Sequence, residues 1–367
     1  MFQLTPSPRL RPTPFHHSTV ADGLSSVTCY NQMILPTGYG NPEAEYWRLI
    51  NGVAMWDVAA ERQVQLKGRD AAKLAQILCT RDLSKCKVGQ GKYVALCNHA
   101  GTLINDPILL KLDDDRFWLS IADSNILFWA RAVAAERGLD VTVSEPDASP
   151  LAVQGPKAED VVASIFGDWV RELKYFWFKE TRINGMHVAV ARSGWSKQGG
   201  FEIYLFDGSR GDELWNLVKE AGKPFDIGPG NPNAAERVES GLLSWGGDTD
   251  DDTNPFEVRM ENFVDLEVDD DVIGIKALRK IKAEGVRRKQ MGVVMSGGEP
   301  ERPPFWWFDV KKGASKIGSL TTHIWSPRLE SHIGLVLVEQ SANVDDDVTV
   351  HIGEQTLTGK LVELPFL

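Results

Sequence analysis

The first twenty residues show no hydrophobic period and are rich in Pro, Arg and Ser, which predicts an extended arm laid over the surface or across a cleft. Regular patterning begins after it. Pro42 to Leu49 suits a short helix, Val64-Gln65-Leu66 alternates as a strand, and Gly68-Arg69-Asp70 opens a helix from Ala71 to Leu78. Tyr93-Val94-Ala95-Leu96 and Ile108-Leu109-Leu110 flank the turn signal Asn98-His99-Ala100-Gly101, as in a hairpin. Phe117 to Ile121 alternates as a further strand, and Ser124 is placed to cap a helix running to about Arg137.

From Leu151 the order repeats in outline: a strand at Leu151-Ala152-Val153, a Gly155-Pro156 turn and a helix from Ala158 to Phe166. Strands near His187 to Arg192 and Phe201 to Leu205 follow. An α+β domain is implied rather than a doubly wound sheet. The Asp-rich run at 248 to 252 reads as a solvated loop, and 269 to 271 as another exposed turn. Beyond about Arg288 short strands recur between glycines, at Met291 to Val294, Ile333 to Val338 and Val348 to His351, the pattern of a small closing β-barrel.

With 367 residues and 43% apolar content, the chain has enough material for two or three units that each bury a core. Cys29, Cys79, Cys86 and Cys97 form no Cys-x-x-Cys pair and stand near no regular His spacing, so reduced thiols are expected, with neither a metal site nor a disulfide framework. The N-terminus lacks a signal-peptide core and no apolar run approaches membrane-spanning length, so a cytoplasmic location with no membrane contact is expected. A net charge of −11 argues against a nucleic-acid partner, and Arg287-Arg288-Lys289 reads as a solvated helix end.

Several segments, in order and spacing, are similar to the glycine-cleavage T-protein (aminomethyltransferase) family. Met55-Trp56-Asp57-Val58 resembles its "FDVS" element, and Thr80-Arg81-Asp82-Leu83-Ser84 with Gly89-Gln90-Gly91-Lys92-Tyr93 its "TNDL…GQGRY" stretch. Gly101 to Asp106 resembles "GGILDD", Leu151 to Pro156 "LALQGP", Gly200 to Tyr204 "DGFEIY" and Glu236 to Leu242 "LRLEAGL"; Ser326-Pro327 opens the C-terminal piece. The resemblance runs from about residue 30 to 367. Arg192 to Gly200 departs from the glycine-cleavage pattern "RTGYTGEDG" and looks more like the demethylase branch, which includes enzymes acting on dimethylsulfoniopropionate and on aryl methyl ethers of the dicamba type. Tyr30 to Pro36 and Ala60 to Val64 point the same way.

The resemblance implies an enzyme with three domains in a ring: residues 1–49 with 148–250 as a discontinuous folate-binding domain, 50–147 as an inserted α/β domain, and 262–367 as the terminal barrel. It implies tetrahydrofolate as methyl acceptor, no metal, and a small-molecule methyl donor beneath the pterin. Asp106 falls at the family's key carboxylate near N5, where it can orient the pterin and stabilise charge as nitrogen is alkylated. On its own, Asp106 reads as a turn residue. Glu202 falls where a carboxylate meets pterin N–H donors, although strand alternation alone would send it to solvent. Tyr93 and Arg237 match folate-contacting positions, and a buried pair of Arg237 with Glu236 or Glu239 is an equal reading.

Two donors ask for different pockets. A sulfonium carries its own charge, leaves as a neutral thioether and wants aromatic faces. A methoxyarene leaves as a phenolate and wants a proton donor at the ether oxygen. Trp177, Phe178, Trp195, Tyr204 and Trp245 offer faces for either donor, though any one of them is more often core than pocket. Phe15 and His16 in the arm, with Gln32, Trp195 and Trp245 as departures from the sulfonium enzymes, tilt the reading toward a methoxylated aromatic acid, with His16 as the acid. Dimethylsulfoniopropionate demethylation is the alternative; aminomethyl transfer and a non-catalytic folate-binding role stand behind both.

Overall fold

A computed structural model describes residues 7–297 and 307–367. The chain divides into two compact units. The first comprises the segments up to Ala75, Ser84–Tyr93 and Pro107–Asn233; the second comprises Gln76–Leu83, Val94–Asp106 and the chain from Ala234 onward.

Within the first unit, a six-stranded sheet runs in the order Phe178–Ile183, Met186–Ala191, Gly200–Leu205, Ser149–Gln154, Ala54–Asp57, Gly228–Gly230. Neighbours are antiparallel except the last pair, which is parallel. Val53, Met55, Leu151, Val153, Val188, Val190, Phe201 and Ile203 bury one face of this sheet under Val161 and Val162 of the helix Ala158–Phe166 and Leu214, Trp215 and Val218 of the helix Gly211–Gly222. The alternation that marks these strands therefore reports a helix-covered face. A second, antiparallel sheet orders Thr142–Ser144, Gln63–Lys67, Arg116–Ser120, Ile108–Asp113 and Gln90–Tyr93.

The expected hairpin around Asn98 to Gly101 splits into two pairings. Tyr93 faces Ile108 in the first unit, whereas Leu96–Cys97 pairs with Leu103–Asn105 in the second. The helix expected from Ser124 begins at Ile126, with Asn125 rather than Ser124 at its N-cap and no side-chain capping bond there.

The arm expected to be extended is instead folded where it is described. Arg11 joins the hairpin Ser26–Tyr30/Met33–Gly38 by hydrogen bonds to Gln32 and from Ile34, and His16–Ala21 forms a short helix. Residues 1–6 of that arm lie outside the described residues.

In the second unit the expected barrel closes as Arg288–Ser296, Ser331–Glu339, Ser315–Ser326, Phe308–Lys312, Asp347–Ile352, Gln355–Val362 and back to the first. Closure leaves no free edge among these strands. Arg288 begins the first of them, so the basic cluster is a strand start rather than a helix end; its guanidinium pairs with Asp250 and Glu257.

Candidate active site

Glu202 sits in the central strand Gly200–Leu205, between Ala152 and Ala191 of the neighbouring strands, and is 5% exposed. Its side chain is buried, not solvent-facing as simple alternation would have it. Ser193 Oγ and Tyr204 Oη both donate to Oε2, the latter at 3.2 Å, and Oε1 has no partner among the described residues. Behind Tyr204 lies Ser120, a polar neighbour of the phenol, and Gln63 Nε2 donates to Ser120 Oγ at 2.9 Å. Both hydroxyls that touch the carboxylate point their protons at it. Burial pushes the Glu202 pKa up, and the Ser193 and Tyr204 hydroxyls pull it back. The arrangement holds a carboxylate with one oxygen satisfied and the other offered to a donor that the chain does not supply.

Ser193 is placed by a local clamp. The buried Gln154 donates to the carbonyls of Ser193 (3.1 Å) and Phe201 (3.3 Å) and accepts from Ser196 Oγ at 2.9 Å. Gly194 and Gly200 adopt φ of +148° and +154°, and a Cβ on either would collide with the Gln154 amide. The glycines let the Ser193–Gly200 loop lie flat on Gln154. Trp195, at the tip of this loop, is half-buried.

The other expected donor-contacting residues divide. Trp177 is half-buried; its carbonyl accepts from the Arg192 N–H, and its backbone bridges to Gln90. Phe178 and Tyr204 belong to a core with Leu110, Trp118 and Ala189, so their rings are packing elements and Tyr204 keeps only its hydroxyl for the site. Phe15 is fully buried with its ring 6.4 Å from that of Trp215, and the structure removes it from the donor contacts expected of it. Gln32 is exposed at the two-residue hairpin turn, where Asn31 and Gln32 have φ of +50° and +62°. His16 is half-buried at the start of its helix; burial and then the neighbouring His17 lower its pKa. Tyr93 ends its strand half-buried.

In the second unit, Asp106 follows directly on the strand Leu103–Asn105 and is half-buried. That strand is held by the Leu103 N–H to the Thr253 carbonyl at 2.8 Å and by the Trp245 indole N–H to the Leu103 carbonyl at 3.2 Å. Trp245 thus uses its polar edge to position the segment that ends in Asp106. Arg237, on the helix Ala234–Glu239, forms a buried ion pair with Asp248. Among its partners are Asp248 Oδ2 at 2.6 Å, the Leu242 carbonyl at 2.9 Å and Thr322 Oγ1 at 2.9 Å, all of which accept from it. The Asp248 side chain is 0% exposed, so the expected solvated loop begins with a buried ion pair, and Asp250 pairs with Arg288, which holds its pKa below the ordinary value. Glu239 pairs with Arg328 and accepts from Ser326 at 2.6 Å.

The sequence reading passed over the serines and Gln63 because hydroxyl and amide partners separated by tens of residues leave no local pattern. It also passed over Asp57 as a titrating group. Asp57 is 2% exposed, accepts from Thr13 Oγ1 at 2.5 Å and from the Ala59 N–H at 3.2 Å, and is raised by burial to about 7.

Comparison with known proteins places these groups in a family. The sequence model of the GCVT N-terminal domain matches residues 15–268, and that of the glycine cleavage T-protein C-terminal barrel domain matches 264–367. The chain is 39% identical to the dimethylsulfoniopropionate demethylase of Ruegeria pomeroyi, over 93% of each chain. It is 31% identical to an aminomethyltransferase of Thermoanaerobacter pseudethanolicus, over 90% of this chain and 91% of the relative. The crystal structure of the glycine cleavage system aminomethyltransferase T from Bartonella henselae superposes with a TM-score of 0.85 at 20% identity, covering 97% of this chain and 98% of that one. The α+β fold with its terminal barrel is that of the aminomethyltransferase, and the chain belongs to the glycine cleavage T-protein family of tetrahydrofolate-dependent methyltransferases.

Proposed function

We propose that the chain is a demethylase that moves a methyl group from a small sulfonium donor of the dimethylsulfoniopropionate class to N5 of tetrahydrofolate. The observation that carries the folate half is Glu202: a buried carboxylate with two hydroxyls on one oxygen and none on the other suits the N–H donors of a pterin ring. Asp106 is the group assigned to N5. In the reaction the N5 lone pair attacks the methyl carbon, the carbon–sulfur bond breaks, and the electron pair leaves on a neutral thioether. N5 then sheds its proton, and a carboxylate nearby stabilises the cation before that loss. Alignment of donor and acceptor supplies about 7–11 kcal/mol in such displacements, so positioning by Glu202 and Asp106 is the main service required.

The donor half rests on the 39% identity to the dimethylsulfoniopropionate demethylase and on His16. A methoxyarene needs an acid at its oxygen, and His16, held at the start of a helix with its pKa lowered, is less suited to that role than a free imidazole. Methoxylated aromatic acids remain the second reading, favoured by the half-buried indoles of Trp177 and Trp195. Purified protein incubated with tetrahydrofolate and either dimethylsulfoniopropionate or a methoxybenzoate panel, followed by mass spectrometry, tests both. Methylthiopropionate with 5-methyltetrahydrofolate supports the proposal; a phenol product replaces it with the second reading; no methyl transfer from either donor refutes both.

A further inference from the structure

The second unit holds an open cleft of about 540 Å³ whose lining includes none of the methyl-transfer residues. Arg259, Lys282, Lys289 and Gln290 supply its donors. Arg259 ends the turn Pro255–Val258, which the Asn254–Glu257 capping box fixes, and it does so at φ +63°, a left-handed backbone that an L side chain rarely adopts. Its guanidinium lies against Gly241, where a Cβ would fall 2.8 Å from Nη1. Its one hydrogen bond among the described residues is a long one, 3.4 Å from Nη1 to the Gly241 carbonyl. The rest of the guanidinium fork, already partly desolvated, has no acceptor, and burial lowers its pKa.

The neighbouring groups share this deficit. Lys289 has no hydrogen-bond or ion-pair partner among the described residues, and Lys282 has no hydrogen bond or ion pair there; its amine stands 5.2 Å from the centre of the Phe256 ring. Gln290, 6% exposed, has an amide Nε2 without an acceptor. Two carboxylates line the same cleft. Glu257 already has Oε1 and Oε2 on Arg288, at 3.2 and 3.0 Å, which leaves the exposed Glu261 as the one lining acid free to oppose three cations; Asp346, whose charge also reaches Lys289, is already paired with Lys312. On a chain of net charge −11, such a hollow stands against the surrounding field.

We propose that this cleft is an anion-binding site for a small ligand carrying two or more phosphate or carboxylate groups, gripped by the Arg259 fork and flanked by Lys289 and Lys282. The volume falls within the roughly 300–1,000 Å³ typical of small-molecule sites. A bound oxyanion, or a water that it orders, is also the acceptor the Gln290 amide lacks. The left-handed arginine has the character of strain kept for binding, since glycine at the same place would remove it.

That last point supplies the test. Titration calorimetry and thermal melts of the full chain with pyrophosphate and with citrate, against sodium chloride of equal ionic strength, are expected to show saturable one-to-one binding and a raised Tm with at least one of the two. Arg259→Gly is expected to raise the Tm of the anion-free protein and to weaken anion binding at least tenfold. Lys289→Ala is expected to weaken it several-fold with Tm unchanged. Preference for pyrophosphate marks a phosphate ligand, and preference for citrate a polycarboxylate. Equal anion affinity in the native protein and both variants, or a response that chloride reproduces, overturns the proposal.

Discussion

Replacing Asp57 by asparagine should change how the stability of the protein depends on pH. Asp57 is buried at the end of the strand Ala54–Asp57, next to the edge of the six-stranded sheet, and its pKa rises from an ordinary 3.8 to about 7 because burial disfavours the charge more than Thr13 and Ala59 favour it. Between about pH 4 and 7 the native state keeps a proton that the unfolded chain has lost, so unfolding releases a proton and native stability falls as pH rises through that window. The gap corresponds to a ceiling of about 4 kcal/mol, reached above pH 7, and relaxation should leave about 2–4 kcal/mol. The asparagine side chain keeps the shape, accepts from Ala59 and donates to Thr13, but cannot ionise. Relative to the native protein, the Asp57→Asn variant should therefore gain nothing at pH 4 and about 4–16 °C in Tm at pH 8, taking about 2–4 °C per kcal/mol for a unit of this size. Calorimetric melts of both proteins from pH 4 to 9 give the difference directly, because other titrating groups cancel. Parallel curves across that range would show that Asp57 is ionised at little cost, and the burial argument would fail.

Glu202→Gln should weaken tetrahydrofolate binding by ten- to a hundredfold, the loss of about 1.5–3 kcal/mol for a hydrogen bond to a charged group, while Tyr204→Phe and Ser193→Ala each lose less because the other hydroxyl remains. Fluorescence titration with tetrahydrofolate reads this, and unchanged affinity in Glu202→Gln removes the pterin assignment. Arg237→Met strands the Asp248 charge and should cost about 3–5 kcal/mol, much of it recovered when Asp248→Leu is added; additive losses in denaturant melts would show that the pair is not coupled. His16→Ala should leave the turnover of a sulfonium donor within about twofold, since a leaving thioether needs no acid; a hundredfold drop in kcat would restore His16 to the chemistry.

Local patterns made much of the fold legible. The helices Ala71–Leu78 and Ala158–Phe166 follow from periodicity and their flanking glycines, and the barrel from short strands set between turns. The arm misled because Pro-rich composition speaks of no hydrophobic stripe, yet Phe15 alone anchors it in a core and six residues suffice for a helix. The acidic run misled for a related reason: composition gives solvation on average, whereas Asp248 answers to Arg237, eleven residues away. Glu202 was legible through its motif, but its hydroxyl line was not. Gln63, Ser120 and Ser193 are neutral polar residues in strands and loops, and only the folded sheet gathers them around Glu202 and Tyr204.

The strand Ala54–Asp57 finds its partners late. It pairs with Ser149–Gln154 on one side and Gly228–Gly230 on the other, so during synthesis its apolar residues Met55 and Trp56 leave the ribosome long before either edge exists. At about 5–20 residues per second the wait for the second partner is roughly 10–35 s. Through that interval the nascent chain presents a hydrophobic strand first with no partner and then, once Ser149–Gln154 has been made, with one edge still open, and truncated or stalled products ending before residue 228 should be clients for chaperones and proteases rather than folded domains.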